Sequence, residues 1–582
     1  MKKKAIALVL SIVMLFSATT LPASAIDFES ASEPITKVLG KALGTVFTGL
    51  VTVLNAFMGE NDKFVEEDEY VYDNFYEGTG EFISEAKPGA TWSLGQAEAS
   101  LVPEDWQDEK YDLYLGGFIS EQNLFTNDVR EILDDMKVRV IAMDDGSGRG
   151  TSVFATIDSI GIANGDARII RAMLSEFAKK NNINSINIFS THTHSGIDTQ
   201  GLWTEIFRKW PKNILSAFTR IGETEQGTDP EYMDFLYNTV ATAIKTAVDN
   251  MEAGMMTYAE KDIGAKYFNN KNRPSADGLD SSLRRLTFYP ANKSSRPTII
   301  LNMSSHPDVA GLATADDPVK GHGVSGDYVY YIGETLNGAG YDFMFFNGAI
   351  AGIYIGGIDV EAPRRVDTAD NYGTEIGKMV LGMTMSEEEI KADEYLMSLN
   401  FTQEQTAGHS YTPWYEGWVP AKEETVEPVL NLKLKTVEVP VTNPVIKAAG
   451  KLGVVNYTIK CSGLIKREYK VTTEIGYMEI GDSMQIAFVP GEFCADLWNG
   501  GSSLTAEASI SGEAFTGKTV TEIFGEDTVV FGLANDAVGY IVPDNDYCMC
   551  LAFGHYHETL SLGKNTASTL MSAFEALAEE IK

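Results

Sequence analysis

The stretch Ile188-Phe-Ser-Thr-His-Thr-His-Ser-Gly196 places two of the chain's seven histidines, His192 and His194, at the end of an apolar run. Residues 182–189 largely alternate polar and apolar side chains, which is typical of a β-strand. If the extended conformation continues to His194, both imidazoles point to the same side, because side chains alternate along a strand. Two imidazoles on one face at a strand end would supply half of a zinc site.

Strand and helix patterns alternate around this segment. Residues 137–142 and 151–157 are predicted to be paired strands, 166–180 a helix, and the histidine strand follows. This order of elements predicts an α/β core. From about residue 399 to 480 the sequence changes to the alternation typical of antiparallel β-structure, which we interpret as a β-rich insertion.

The N-terminus has the pattern of a bacterial signal peptide over residues 1–25: three lysines, an apolar core and the cleavage sequence Ala23-Ser24-Ala25. We therefore expect a secreted protein, extracellular or in the cell envelope. Residues 26–90 are predicted to contain an amphipathic helix followed by an acidic linker. The helical part, within residues 31–58, fits either a helix docked on the main domain or peripheral contact with a membrane surface.

Bulk composition restricts the partners. The formal net charge of −36 disfavours nucleic acid and anionic membrane surfaces. All four cysteines, at 461, 494, 548 and 550, lie late in the chain. One or two disulfides are compatible with an extracytoplasmic location, and the pairing stays open.

Five further motifs stand downstream of the histidine strand. They are Asn272-Arg273-Pro-Ser275, Leu301-Asn-Met-Ser-Ser-His306, Val324-Ser-Gly-Asp327, Val489-Pro-Gly-Glu492-Phe493 and Asn535-Asp-Ala-Val-Gly-Tyr540-Ile541. Taken singly, such residues are usually a loop charge, a turn carboxylate or a core tyrosine. In this order, together with Thr-His-Thr-His-Ser-Gly, they resemble the zinc-site motifs of the neutral/alkaline, non-lysosomal ceramidase family, in its N-terminal catalytic domain.

The resemblance implies a role for each matched residue, and zinc is the one cofactor it implies. The implied zinc ligands are His192, His306, Glu492 and Tyr540. The implied catalytic residues are His194, Arg273 and Tyr556, with His557 as the alternative to Tyr556, and the implied orienting carboxylate behind a ligand histidine is Asp158.

The resemblance also implies the fold and the reaction. The fold class is α/β (α+β), with two packed mixed β-sheets flanked by helices, a zinc site at the strand ends and a catalytic domain over residues 91–582. The reaction is hydrolysis of the N-acyl bond of ceramide to sphingosine and fatty acid, a part of sphingolipid metabolism. Zinc lowers the pKa of bound water and supplies hydroxide for attack on the amide.

Two departures from the family keep other interpretations open. The stretch 345–356 keeps Asn347 but has no serine where the family carries one, and no C-terminal immunoglobulin-like domain is predicted. One alternative is hydrolysis of a different N-acyl amide, such as an N-acyl amino acid or a cell-wall amide. Another is a catalytically silent homologue that binds lipid or surface glycan, and a third is a zinc ion with a structural role only.

Overall fold

The computed structural model describes residues 33–117, 128–204, 206–270, 275–310, 322–358, 360, 362, 364–406, 411–463, 466–549 and 555–582. A mixed nine-stranded sheet runs through the first part of this chain. Its strands, in spatial order, are β12 (Asp342–Asn347), β10 (Thr298–Met303), β9 (Ser282–Pro290), β7 (Glu252–Asp262), β2 (Trp92–Ser100), β4 (Lys137–Asp144), β5 (Thr151–Ile157) and β6 (Ile183–Ser190), with β14 (Glu423–Val426) also paired to β7.

A second, six-stranded mixed sheet lies against the first. Its strands are β1 (Phe64–Glu66), β16 (Ile459–Ser462), β17 (Glu468–Ile480), β18 (Met484–Phe488) and β20 (Thr528–Phe531), with β15 (Leu430–Pro440) paired along β17. Three short pairs complete the strands: β3 (Glu131–Ile132) with β11 (Gly323–Val324), β8 (Phe268–Asn270) with β13 (Ile353–Ile355), and β19 (Glu492–Phe493) with β21 (Tyr540–Ile541).

The two sheets meet through large apolar side chains that alternate inward along their strands. Phe189 packs edge-on against Phe346 and Phe488, with ring centroids 4.9 and 5.2 Å apart, and Phe346 stacks on Phe531 at 4.3 Å. Aromatic pairs in these geometries add to the free energy gained from burying the rings. The prediction of two packed mixed sheets flanked by helices is therefore confirmed.

Helices cover the outer faces of both sheets. The long helix α5 (Pro230–Asp249) packs on β2 and β4, α6 (Asp327–Gly338) packs on α7 (Arg365–Leu381) and β12, and α14 (Thr566–Glu580) packs on β15 and β17. The helices in the described residues are α1 (Glu33–Phe57), α2 (Asn164–Met173), α3 (Ser175–Lys180), α4 (Ile206–Thr219), α5 (Pro230–Asp249), α6 (Asp327–Gly338), α7 (Arg365–Leu381), α8 (Glu387–Ala392), α9 (Glu394–Ser398), α10 (Gln403–Thr406), α11 (Pro444–Lys451), α12 (Ala495–Asn499), α13 (Val520–Phe524) and α14 (Thr566–Glu580).

Two segments are more integrated than their sequence patterns suggested. The acidic stretch interpreted as a linker contributes β1, which pairs in parallel with β16, and Gly78 forms a bridge with Lys433. Residues 399–480 supply β15, β16 and β17, which are three of the six strands of the second sheet. No helix among the described residues is long and apolar enough to cross a bilayer.

Three parallel strand pairs, β5–β6, β10–β12 and β18–β20, have their C-terminal ends close together. The backbone NH of Gly532, just after β20, donates to the carbonyl of Asn347 at the end of β12, at 2.8 Å. The side-chain amide of Asn347 donates in turn to the carbonyl of Thr191, just after β6, at 2.8 Å. Because parallel neighbours end on the same edge, residues distant in sequence converge there.

Candidate metal centre

His192 reaches this edge through an unusual backbone turn. Strand β6 ends at Ser190, and His192 has a φ of 69°, in the left-handed region that costs a non-glycine residue on the order of 1–3 kcal/mol. The extended conformation therefore ends before the two histidines, and this turn, not strand alternation, brings their imidazoles together. The turn brings the Nδ1 atom of His192 to 2.6 Å from the carbonyl oxygen of Ile160. A carbonyl only accepts, so Nδ1 carries the proton and Nε2 presents its lone pair.

His306 follows β10 and is held in the same way. Its backbone NH donates to the carbonyl of Ile353 at 2.8 Å, and its Nδ1 lies 3.0 Å from the same oxygen. This ring is completely buried. Its Nε2 therefore also faces inward as an acceptor.

Glu492 faces both imidazoles from the short strand β19. Its Oε2 lies 3.3 Å from Nε2 of His192 and 3.1 Å from Nε2 of His306. Burial alone would raise the pKa of this carboxyl, but the two histidines reverse that effect and hold the pKa of Glu492 well below its usual value. The side chain is therefore an anion in a nearly closed site.

His194 brings a third imidazole. Its Nε2 lies 3.1 Å from Nε2 of His192, and the ligand atoms of His192, His194 and His306 all lie within 4.8 Å of one another. Burial, reinforced by the two neighbouring histidines, lowers the pKa of His194 well below its usual value. His194 can therefore offer a neutral ring nitrogen to a metal ion.

This donor set fits a tetrahedral zinc ion. With zinc–nitrogen bonds of about 2.0 to 2.1 Å, donor atoms on a tetrahedron lie about 3.3 Å apart. Three donor–donor distances in the cluster, His192–His194, His306–Glu492 and His192–Glu492, are 3.1, 3.1 and 3.3 Å, and the ligand atoms of the three histidines lie within 4.8 Å of one another. A metal ion between these atoms would satisfy the three short contacts.

Tyr540 stands beside Glu492 because β19 and β21 pair in register, Glu492 opposite Tyr540. Its ring centroid lies 4.3 Å from that of His557 and 5.8 Å from that of Tyr556. Burial first, and the charge of Glu492 second, raise the pKa of Tyr540 well above its usual value. The structure thus brings together the residues predicted as zinc ligands: His192, His306, Glu492 and Tyr540.

The Val-Ser-Gly-Asp motif braces the histidine loops. The backbone NH of Ser325 donates to the carbonyl of Ser195 at 2.9 Å, and Thr193 Oγ1 donates to the carbonyl of Ser325 at 3.0 Å. The carboxylate of Asp327 accepts from the NH groups of Val309 and Ala310 at 2.8 and 2.7 Å, just after His306. Its role in this structure is to hold the loops that carry His194 and His306.

The prediction for Asp158 needs correction. Its carboxylate binds Nη1 of Arg139 at 2.8 Å and the backbone NH of Lys137 at 2.8 Å, and it does not contact an imidazole. The orienting acceptor behind His192 is the carbonyl of Ile160 instead. Asp158 turns away because Arg139, on neighbouring strand β4, offers it a buried cation.

Arg273 and the segment beside it lie outside the described residues. Tyr556 lies near the site: its hydroxyl is 2.9 Å from the hydroxyl of Tyr354, and its ring centroid lies 5.8 Å from that of Tyr540. Tyr354 was missed from the sequence because no motif marks it. The only available signal was its place within the serine-free stretch 345–356.

A small cavity of about 60 Å³ adjoins the imidazoles. This is room for a few water molecules at most. Besides His192, His194, Glu492 and Tyr540, its walls are largely apolar and include Leu202, Trp203, Ile446, Val455 and Leu560. The site therefore combines a polar, metal-compatible floor with apolar walls.

Comparisons with known proteins bear on the fold. No family model matches the sequence, and no curated protein sequence matches it. Among solved structures, the chain is similar to the neutral ceramidase from Pseudomonas aeruginosa, with a TM-score of 0.52 and 14% identity over 85% of this chain and 75% of that chain. A ceramidase complexed with C2 gives a TM-score of 0.51 and 14% identity over 84% and 75%. At this identity the likeness establishes a shared fold.

Proposed function

We propose that the chain is a zinc-dependent amidohydrolase that cleaves the N-acyl bond of ceramide or a similar N-acyl lipid, giving a fatty acid and an amine such as sphingosine. The observation that carries the proposal is the convergence of His192, His306 and Glu492, in which Oε2 of Glu492 lies 3.3 and 3.1 Å from the two Nε2 atoms, with Nε2 of His194 3.1 Å from that of His192. That this cluster lies in a fold similar to that of neutral ceramidase supports the choice of reaction.

The chain's own residues prepare the site for amide hydrolysis. Ile160 and Ile353 fix the tautomers of His192 and His306 through their carbonyls. Zinc, when held by these rings together with Glu492 and Tyr540, supplies a Lewis acid that lowers the pKa of water and polarises a carbonyl. Hydrolysis must also deliver one proton to the leaving amine, and a neutral imidazole is suited to carry it.

His194 has two alternative roles in this scheme. Its Nε2 is at ligand distance from that of His192, so it can be a further metal ligand. As predicted from the sequence, it can instead carry the proton to the amine. We favour the second role, and zinc content separates the two: His194→Ala should lower turnover at least about 100-fold while zinc stays bound.

The apolar cavity walls support a lipid substrate over a polar one. Leu202, Ile446 and Val455 stand beside the cluster, where an N-acyl amino acid or cell-wall amide would find few polar partners. A panel of N-acyl amides at fixed zinc concentration tests this preference. Faster turnover of a polar amide would contradict the lipid assignment and leave the metal site intact.

Helix α1 supports contact with a lipid surface, one of the two roles predicted for residues 31–58. One side of the helix is buried, with Phe47 and Val51 in an apolar cluster shared with α11. Its other side carries an apolar stripe at helical spacing, exposed by 51 to 70% of each side chain: Val46, Leu50, Val53 and Phe57. The helix thus presents unpaired apolar surface of the kind that inserts into a membrane interface.

The position of this stripe relates it to the site. Helix α1 docks on α11, and Ile446 of α11 is a wall of the cavity beside His192. A bilayer bound to the stripe would therefore lie next to the proposed substrate cavity. Because the net charge is −36, we propose a zwitterionic lipid surface, on the outside of the cell to which the signal peptide would deliver the protein.

The experiment that tests the function is hydrolysis of a fluorescent ceramide, with chelator and with zinc added back. His192→Ala should abolish both zinc binding and turnover. His322→Ala is the matched control, because His322 is also buried but its Nδ1 contacts the carbonyl of Asp128. Full zinc content and full turnover in His192→Ala would show that the site is assigned incorrectly. A zinc-loaded protein that binds ceramide without hydrolysing it would indicate the silent homologue.

A further inference from the structure

The strand and turn after β12 carry a tyrosine at the metal centre. Tyr354 lies in β13, and its backbone forms a bridge with His306. Its ring stacks on the His306 imidazole, with centroids 4.8 Å apart and planes inclined by 21°. The phenol therefore sits against an inward-facing imidazole.

The hydroxyl of Tyr354 is paired with a second phenol at the site. Its oxygen lies 2.9 Å from the hydroxyl of Tyr556, whose ring centroid lies 5.8 Å from that of Tyr540 beside Glu492. Two hydrogen-bonded phenols thus stand next to a proposed metal ligand. Linked hydroxyls polarise one another, which makes them stronger donors.

The two outer phenols are also the part of the site that a substrate can reach. Tyr354 is half-buried and 38% of Tyr556 is exposed, whereas His306 is completely buried. The two tyrosines are therefore more open to solvent than the imidazole of His306 behind Tyr354. They are thus placed to contact the group that reacts.

We propose that Tyr354 is a catalytic residue that, paired with Tyr556, donates a hydrogen bond to the amide carbonyl oxygen of the substrate and takes the place of the missing serine. This inference rests on the proposed amide hydrolysis. Water adds to the carbonyl carbon, the carbon–nitrogen bond breaks, and the nitrogen leaves as an amine after gaining a proton. Negative charge develops on the carbonyl oxygen before that bond breaks, and a donor aimed there stabilises it.

Tyr354→Phe tests the hydroxyl alone, because phenylalanine keeps the ring on His306 and removes only the oxygen. Loss of one such donor typically lowers kcat about 100- to 1000-fold. We expect that loss in ceramide hydrolysis, with KM and zinc content close to those of the wild type. Tyr395→Phe is the matched control, since its hydroxyl donates to the carbonyl of Thr335 on a different part of the protein.

A second measurement does not depend on turnover. A phosphinate analogue of ceramide carries negative oxygen atoms where the reacting carbonyl oxygen would be, so it should bind Tyr354→Phe about 100-fold more weakly than wild type in calorimetry. Unchanged kcat and analogue affinity in a zinc-loaded variant would overturn the role of Tyr354 and leave the proposed function standing. Loss of zinc from the variant would also overturn it, because the hydroxyl would then serve to hold the metal site together. No amide hydrolysis by the wild type would overturn the proposed function, and this inference with it.

Discussion

Asn347 offers a test of how the fold holds the metal centre, because it contacts the residues that precede two of the proposed ligands. Its Nδ2 donates to the carbonyl of Thr191 at 2.8 Å, and its Oδ1 accepts from the backbone NH of Ser305 at 3.4 Å. Thr191 precedes His192, and Ser305 precedes His306. The perturbation is Asn347→Ala, which removes both contacts and no proposed ligand.

The magnitude follows from the burial of this side chain. Asn347 is 1% exposed, so water cannot easily replace the lost donor to Thr191. An unsatisfied buried carbonyl costs about 1–3 kcal/mol of stability. The contact with Ser305 is long and adds little. Loss of a residue that orients metal ligands typically weakens metal affinity about 10- to 100-fold. We therefore expect Asn347→Ala to lower the free energy of unfolding by about 1–3 kcal/mol and the zinc affinity by about 10- to 100-fold.

Zinc affinity, measured by competition with a fluorescent chelator, is the decisive assay, with chemical denaturation alongside it. Asn302→Ala is the matched control: this amide is equally buried, but it donates to the carbonyls of Phe346 and Val530 at 3.1 and 3.3 Å. The control should lose stability and keep its zinc affinity. Equal zinc affinity in both variants would refute the idea that Asn347 orients the histidine loops.

Three other predictions test the fold, its pH dependence and its surface. Arg171→Met should lower the free energy of unfolding, measured with urea, by about 3–5 kcal/mol, because Glu474 is fully buried and loses two hydrogen bonds of 2.7 and 2.9 Å. A loss below about 1 kcal/mol would contradict this. Burial raises the pKa of Asp134 to about 7, so the folded protein holds a proton that the unfolded chain releases near pH 4. The contribution of Asp134 to stability therefore falls as the pH rises from about 4 to about 7, by up to about 1.4 kcal/mol per pH unit. Asp134→Asn should flatten the measured profile of unfolding midpoint against pH, and an unchanged profile would contradict this prediction. Phe57→Ser should weaken binding to zwitterionic vesicles, measured by sedimentation, about 10-fold without slowing hydrolysis of a soluble short-chain amide. Val71→Ser alters a side chain that is exposed to a similar extent, and it should change neither. Equal vesicle binding by both variants would exclude α1 as the membrane contact.

Much of the architecture could be predicted from local sequence. The alternation over residues 182–189 corresponds to β6, and the strands expected at 137–142 and 151–157 are β4 and β5. Helix α5 begins at Pro230, after Asp229, whose carboxylate caps it by accepting from the NH of Tyr232 at 2.8 Å. Such features depend on residues a few positions apart, so a single sequence contains them.

The membership of the second sheet could not be predicted in this way. Strand β1 comes from an acidic stretch with little strand character, and it pairs with β16 almost 400 residues later. Pairing between distant strands depends on which edges the tertiary structure leaves open. Local composition does not record that.

At the metal centre, the sequence by itself determined the residue types: imidazoles after β6 and β10 and a carboxylate after β18, each in a recognisable motif. Tertiary structure decided how they meet. The left-handed turn at His192, the carbonyls of Ile160 and Ile353 behind the rings, and the stacking of Tyr354 on His306 leave no sequence pattern. A backbone carbonyl is the same chemical group at every residue, and a ring contact depends on the register of two separate strands. Only the folded chain brings these groups within bonding distance.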